Sequence, residues 1–411
     1  MEKKNIQEVV DNHLCMGCGV CQDACPKDCI HIIHANTNYP QLDQSKCILC
    51  GRCYAACPGK GVKLIVEAER LFPQVNVDKY IGRYECLYTG HSLNEAIRLH
   101  SASGGLVTQF LCYLFDKHII DGAAVVGQQD DNKMLPKAFV AKNKEDVIRA
   151  KSSKYIVTSY DSIARQIKNG KYVLVGLPCH IQAFRQYSKI DKNFRDSVIG
   201  YFSIYCSLNK TRLSTDYYLY RYDIKKEEIE KFAYRDNGCP GFMTFTNKKG
   251  KAIKQIPYVK FWMGTHNFFQ NQRCSLCFDQ FGELADINFG DINLPPYNED
   301  KIGINSLIVR NKKWDDLLHD AIKQGYITLE PLRKENLLRS QSYVMSYKKG
   351  NGIAAALQIR KILGKKNPIN DEILPKPVAK DYIKQLANYI MRQIGKRKAF
   401  FPIIKAFDFN K

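Results

Sequence analysis

The sequence predicts an α+β protein in three parts: a cysteine-rich module over residues 1–62, a mixed α/β body over 80–345, and a basic helical tail over 346–411. A linker over residues 63–79 joins the first two. Three observations carry this reading. One cysteine run is duplicated 32 residues further along, helix-like and strand-like apolar patterns alternate from about residue 80 to 343, and positive charge gathers behind them. At 411 residues the chain is long enough for two or three domains.

The first run is Cys15-x-x-Cys18-x-x-Cys21-x-x-x-Cys25-Pro26 and the second Cys47-x-x-Cys50-x-x-Cys53-x-x-x-Cys57-Pro58. A cubane cluster takes three thiolates from such a tight loop, and the fourth cysteine of each run crosses to the other cluster. The expected [4Fe–4S] ligand sets are Cys15, Cys18, Cys21 with Cys57, and Cys47, Cys50, Cys53 with Cys25. Gly17, Gly19 and Gly51 give the loops freedom to wrap and to aim N–H groups at sulfur. Zinc ribbons use paired C-x₂-C knuckles rather than triple runs ending in Cys-Pro. Cys29 has no counterpart in the second run, where Gly61 stands, and reads as a small core residue. Val62, Leu64 and Val66 read as a strand leaving the module.

In the body, Ser103-Gly104-Gly105 opens a helix with apolar positions Leu106, Val107, Phe110, Leu111, Leu114 and Phe115. Residues 122–127, 172–175 and 198–205 read as buried strands. Cys179 and Cys206 follow the second and third of these, at the strand ends where open α/β sheets bind ligands. With Cys274 and Cys277 they make either a four-thiolate site or scattered core cysteines, and spacing alone leaves both open. Cys112 falls inside the apolar helix and reads as packing.

Sixteen cysteines without an apolar leader at the N-terminus argue for metal or redox use in a reducing, cytoplasmic setting rather than a disulfide framework. No stretch of about 18 apolar residues exists to span a bilayer. The formal charge is +21, and about half of it lies in residues 346–411, where 15 Lys/Arg face 4 Asp/Glu. No nucleic-acid motif accompanies that charge, so nucleic acid is not an expected partner.

Six short motifs then occur in order: Ser103-Gly104-Gly105-x-Val107-Thr108, Lys151-Ser152-Ser153-Lys154-Tyr155, Gly176-Leu177-Pro178-Cys179-His180-Ile181, Tyr234-Arg235-Asp236, Cys274-x-x-Cys277-x-Asp279, and Ala285-Asp286-Ile287-x-Phe289-Gly290-Asp291. Over roughly residues 80 to 340 the chain resembles the beta-subunit family of coenzyme F420 hydrogenases and dehydrogenases, in which an N-terminal ferredoxin fusion is common. The resemblance implies a body holding FAD and a third [4Fe–4S] cluster, on Cys179, Cys206, Cys274 and Cys277. The other motifs suit the flavin. Small residues at a positive helix end (Ser103, Gly104, Gly105) fit a pyrophosphate, Lys151 and Lys154 add countercharge, and Ser152 and Ser153 offer hydroxyls. Tyr155 and Asp291 complete the expected flavin contacts, while Asp286 and Asp291 either bind a ribityl or substrate group or cap loops. Arg235 and Asp236 read as an ion pair.

The resemblance implies a flavin-dependent, oxygen-sensitive iron–sulfur oxidoreductase of anaerobic metabolism. Electrons would pass between a soluble one-electron carrier or partner redox subunit, the clusters, FAD and a two-electron substrate such as coenzyme F420. The alternative is a non-catalytic relay subunit of a larger redox complex. No residue is marked as catalytic, and none selects the substrate. In the tail, Tyr382, Ile383, Leu386, Tyr389, Ile390 and Ile394 recur at helical spacing before Lys396-Arg397-Lys398. The favoured expectation is that this stripe packs on the body with lysines solvated; the alternative is contact with an anionic membrane surface.

Overall fold

The computed structural model describes residues 4–265 and 267–407. Each cysteine run turns through a glycine at positive φ into a short helix: Gly19 (φ 83°) precedes Val20–Asp23, and Gly51 (φ 76°) precedes Arg52–Ala56. Any side chain at Gly19 would meet the Ser159 hydroxyl and the backbone of Asp161 on the body, so that glycine serves both the loop and the contact behind it. Between the runs, β1 (Ile30–His34) and β2 (Asn38–Leu42) form an antiparallel hairpin. Cys29 is buried, its sulfur 3.3 Å from that of Cys25.

Residues 64–71 correct the expected exit strand. Leu64–Leu71 is an α-helix, and its buried positions Leu64 and Ala68 stand four apart on one face. Three alternating apolar residues were too short a pattern to distinguish the two periods. The connection then forms a small hairpin, β3 (Asn76–Asp78) with β4 (Gly82–Tyr84).

The body is built on one eight-stranded mixed sheet. In chain order its strands are β5 (Cys86–Ser92), β6 (Gly122–Gln128), β7 (Pro136–Ala141), β8 (Tyr172–Gly176) and β9 (Val198–Ile204). A three-stranded excursion follows, β10 (Lys231–Asp236), β11 (Phe242–Thr246) and β12 (Ala252–Pro257). The sheet then resumes with β13 (Ile287–Asp291), β14 (Asn305–Val309) and β15 (Ile327–Pro331), in the spatial order β15-β5-β14-β13-β9-β8-β6-β7. β6, β8, β9 and β13 run parallel at the centre, and antiparallel strands close both edges. β8 is buried along its whole length, which is why it reads as an unbroken apolar run.

Helices cover both faces. On one, Leu106–Asp116 and Lys312–Lys323 pack Phe110 and Trp314 against Phe202 of β9. Trp314 lies where a side chain on Gly200 would otherwise stand. On the other face, Pro178–Tyr187 shares a core with Cys18, Val20 and Ala24 of the cysteine module. The module is thereby part of the body's own packing.

The tail comprises Lys334–Lys348, Asn351–Ile362, Ala379–Ile394 and Phe401–Ala406. It straps the module down: Ile369 donates to the Lys60 carbonyl at 2.8 Å, and Arg360 to that of Asn12 at 2.9 Å. Lys349 pairs with Glu283 of the body at 2.7 Å and with Glu372 of the tail at 2.9 Å. Most of the amphipathic stripe turns outward, against expectation, while Ile394 packs on the core around Phe401. Ile383, Leu386, Tyr389 and Ile390 are exposed, while Gln385, Asn388 and Arg392 are buried. Arg392 donates to Gln270 at 3.2 Å, which ties this face of the helix to the body. Among the described residues no helix is long and apolar enough to cross a membrane.

Lys210, fully buried between body and excursion, donates to the Thr265 hydroxyl at 2.7 Å and to the Phe261 and Trp262 carbonyls. Burial pushes its ammonium down from 10.5 to about 7. With a depressed folded pKa, its contribution is fully present above about 10.5 and is lost as pH falls toward 7. The unfolding midpoint should therefore rise with pH across that window, by up to about 1.4 kcal/mol per pH unit. In Lys210→Met the slope should be smaller by one proton; denaturant melts at several pH values measure this, and an unchanged slope would refute it.

Candidate functional site

The four parallel strands end at one place. Val125 and Val126 of β6, Val175 and Gly176 of β8, Ile204 to Cys206 at the end of β9, and Phe289 to Asp291 of β13 all line a cavity of about 390 Å³. This is the carboxyl-end crevice where open α/β sheets bind ligands. The Leu106–Asp116 helix points its N-terminus into it, with Gly105, Leu106, Val107 and Thr108 on the wall. The excursion contributes Arg235, Tyr258 and Trp262. Gly290 has no room for a side chain because the Tyr205 ring lies over it.

Ser103, Gly105, Lys151, Ser152, Ser153, Lys154, Tyr155 and Asp291 are brought together on this wall. Gly104 is not among them. A side chain there would strike the Gly90 carbonyl and Asn305, so it is a packing glycine between helix and sheet. Lys154 is only in part a countercharge, since its ammonium donates to the carbonyls of Ala150, Lys151 and Ser152 and closes the end of Lys144–Arg149. Ser152, at φ 71°, donates to the Arg235 carbonyl and ties the loop to the excursion.

Two charge assignments change. Arg235 pairs with Asp291 at 2.6 Å rather than with Asp236, which takes His100 at 2.8 Å. Arg235 also donates to the Pro240 carbonyl and to the Tyr155 hydroxyl, and stacks 4.3 Å from the Tyr258 ring centre. Asp286 precedes β13 at the opposite end of the sheet. It pairs with Arg185 at 3.1 Å and accepts from the Tyr201 N–H at 2.8 Å, which gives it a packing role.

Cysteines form three groups. Burial, then the charges of Cys18, Cys57 and Cys15, raise the Cys21 thiol, so the first loop and Cys57 face one another. Cys25, Cys47, Cys50 and Cys53 surround a second hollow, with Cys29 at its edge. In the body, burial followed by the thiolates of Cys206, Cys277, Cys18 and Cys274 raises Cys179 well above its usual range. Burial pushes Cys206 up to about 12, against the pull of Lys348. Among the described residues no three His, Cys, Asp or Glu side chains are gathered to hold a single metal ion. A cubane instead takes one thiolate at each corner of a larger cluster. Buried thiols that repel one another are a donor set that a cationic iron cluster relieves.

The groups adjoin. Cys53 of the second lies near Cys21 of the first, Cys18 of the first near Cys179 of the third, and Cys206 of the third lines the cavity. Two buried cations, unmarked in the sequence, stand among these sulfurs. Arg273 is close to Cys277, Cys274, Cys57 and Cys179, between the first and third groups. Burial works against the Lys348 ammonium, yet the Cys277, Cys206 and Cys274 thiolates outweigh it and raise its pKa. Lys348 has its sulfur partners far away in the chain, and Arg273, although next to Cys274, reaches Cys57 and Cys179 only through the fold.

The Arg235–Asp291 pair yields a test. Asp291→Ala leaves a buried guanidinium without its anion and should cost about 3 kcal/mol of stability. Adding Arg235→Met should recover part of that loss, and strictly additive losses in denaturant melts would reject the coupling.

Comparison with known proteins follows the same division. Residues 87–164 match the N-terminal part, and residues 169–335 the C-terminal part, of the coenzyme F420 hydrogenase/dehydrogenase beta subunit. Residues 14–62 match a 4Fe-4S dicluster domain. The chain is 26% identical over 351 residues to the coenzyme F420-dependent sulfite reductase of Methanocaldococcus jannaschii, covering 84% of this chain but only 52% of that protein. It is 24% identical to the coenzyme F420 hydrogenase subunit beta of Methanosarcina barkeri, covering 62% of this chain and 85% of the relative. A chain of the F420-reducing [NiFe] hydrogenase complex from Methanosarcina barkeri superposes with a TM-score of 0.55 at 20% identity, over 72% of this chain and 98% of that one, a likeness of fold. This chain belongs to the coenzyme F420 hydrogenase/dehydrogenase beta-subunit family and carries a 4Fe-4S dicluster domain ahead of the family's body.

Proposed function

We propose that this chain is an iron–sulfur flavoprotein oxidoreductase that passes electrons between a one-electron carrier and a two-electron substrate bound in the strand-end cavity. One observation carries the reading: the three cysteine groups adjoin in series, and the last shares the cavity wall through Cys206. The ligand sets are Cys15, Cys18, Cys21, Cys57; Cys47, Cys50, Cys53, Cys25; and Cys179, Cys206, Cys274, Cys277. Cys50 is exposed, with Ile48 and Leu49 exposed beside it, which suits the docking of a soluble carrier or partner subunit at the outermost cluster.

FAD is the group that the cavity suits. The helix N-terminus and Lys151 favour its pyrophosphate, and Tyr155, Tyr258 and Trp262 give an apolar wall for a ring system. Bound there, it would supply the exchange between electron pairs and single electrons. Arg235, paired with Asp291, braces that aromatic wall from beside Tyr155 and Tyr258, and Ser103, by donating to the Ile304 carbonyl at 2.7 Å, fixes the turn before the helix. Coenzyme F420 is the substrate to try first, since relatives are named for it. A relay role within a larger complex is the second reading, favoured by the structural likeness to a chain of a hydrogenase complex.

Anaerobic purification with iron, sulfide and flavin quantitation tests the proposal. About 12 iron atoms and one FAD per chain are expected, at four iron per cluster. About eight iron and no flavin would overturn it. Cys274→Ser should lower iron by about four per chain while the dicluster signal persists; unchanged iron would remove that residue from the ligand set. Reduction of the as-purified clusters by reduced coenzyme F420 would favour the enzyme, and flavin without reaction toward any two-electron donor would favour the relay.

A further inference from the structure

The Ala379–Ile394 helix is built inside out. Its inward face is largely polar, with Gln385, Asn388 and Arg392 buried and Met391 and Ile394 half-buried on the core at its C-terminal end, and its outward face carries Ile383 (70% exposed), Leu386 (59%), Tyr389 (49%) and Ile390 (51%). At 100° per residue the two faces lie on opposite sides of the helix. The stripe continues onto its neighbour. Tyr382 bonds Gln358 and Gly352 lies beside Gln385, so Asn351–Ile362 runs antiparallel to it. Ile362 and Leu363 at the end of that helix, both more than half exposed, therefore stand near exposed Val378 and Ile383. An apolar surface of this kind is uncommon on a protein face that meets only water.

Charge identifies what covers it. Ten exposed cations lie along residues 350–407, nine of them lysine: Lys361, Lys365, Lys366, Lys376, Lys380, Lys384, Lys396, Lys398, Lys405 and Arg397, of which Lys366 pairs with Glu8 and Lys398 with Asp216. The three carboxylates described there are turned to other work. Asp371 accepts from the Ile65 and Val66 N–H groups, Glu372 pairs with Lys349, and Asp381 caps the Val378 N–H. Protein interfaces enrich arginine and deplete lysine, whereas lysine stems reach past apolar surface to a charged plane. An outward Ile/Leu/Tyr stripe flanked by lysines on a helix too polar to span a bilayer is the pattern of a helix lying in a lipid headgroup layer.

We infer that the outer face of the Ala379–Ile394 helix, with Ile362 and Leu363, seats this protein peripherally on an anionic lipid surface. The inference is independent of the cluster and flavin assignments. The anaerobically isolated full chain is floated with vesicles of phosphatidylcholine alone or with about 30% phosphatidylglycerol. Binding is expected to the anionic vesicles only, weakened at least about tenfold when salt shortens the screening length to about 3 Å. Leu386→Glu with Ile390→Glu should lower binding at least about tenfold while iron content stays at the parent value. Lys380→Gln with Lys384→Gln, which leaves the apolar stripe intact, should lower it several-fold and flatten the salt dependence. The inference is overturned by absent flotation, by equal flotation with neutral vesicles, or by full binding of the Leu386→Glu/Ile390→Glu chain. It is equally overturned if light scattering finds a dimer that this variant dissociates while vesicles go unbound, since the stripe would then belong to a second copy.

Discussion

The contact on which the rest of the molecule depends is the seating of the cysteine module against the body at Cys18. The Tyr160 N–H donates to the Cys18 carbonyl at 2.9 Å. A few residues on, the buried Asp23 carboxylate accepts from the Ser162 and Ala164 N–H groups at 2.9 and 2.8 Å. Arg165 closes over the same junction, bonding the Gln22 and Cys25 carbonyls and pairing with Asp28 at 2.5 Å. Backbone-directed bonds fix register more firmly than apolar packing does, because they lose most of their value when displaced by a residue. The register fixed here sets Cys18 near Cys179. The proposed electron path would need that proximity, and a free linker between module and body would not serve it.

Electrostatics sets a second requirement. Buried thiolates in three adjoining groups would repel one another and resist ionisation, as the raised pKa values of Cys15, Cys21, Cys179 and Cys206 express. The chain answers with buried cations drawn from distant places. Arg273 bonds the Leu276 and Gly59 carbonyls between two groups, and Lys348 reaches the third from a helix at the start of the tail. Part of the +21 charge is thus interior and structural, which composition alone could not reveal. The tail is a working part of the site rather than an appendage: Lys348 faces the sulfurs, and the adjoining Lys349 holds Glu283 to Glu372 across the body.

What the sequence disclosed follows from the range of each interaction. The cysteine runs were readable because a cluster loop is local, its spacing dictated by one tight turn. The strands at residues 122–127, 172–175 and 198–205 were readable because fully buried parallel strands are continuously apolar. Ser103 and Gly105 line the cavity and Gly104 does not. From the motif alone, a glycine needed for close packing and one needed for a ligand look the same. The partner of Arg235 lay 56 positions away on another sheet rather than next to it, and adjacency misled. The Ala379–Ile394 helix shows the deepest limit. Its period was plain, but which face turns inward depended on Arg392 reaching Gln270 and on Met391 and Ile394 joining the core around Phe401, and that is a property of the surface beneath.

The three cysteine groups and the cavity also have a direction. The outermost group opens to solvent at Cys50, while the innermost is enclosed by Arg273, Lys348 and the tail helices. A carrier docked as proposed would meet one end without touching the other. The cavity lies among the strand ends, the Leu106–Asp116 helix and residues of the excursion, on walls the module does not supply. Under the proposed function, this separation would keep a two-electron partner and a one-electron partner from reacting directly, as a converter between the two kinds of carrier requires. The family's body supplies the cavity and the third group, and the dicluster domain extends the reach outward. Because the extension is packed into the body's core through Cys18, Val20 and Ala24, it lengthens the path without loosening it.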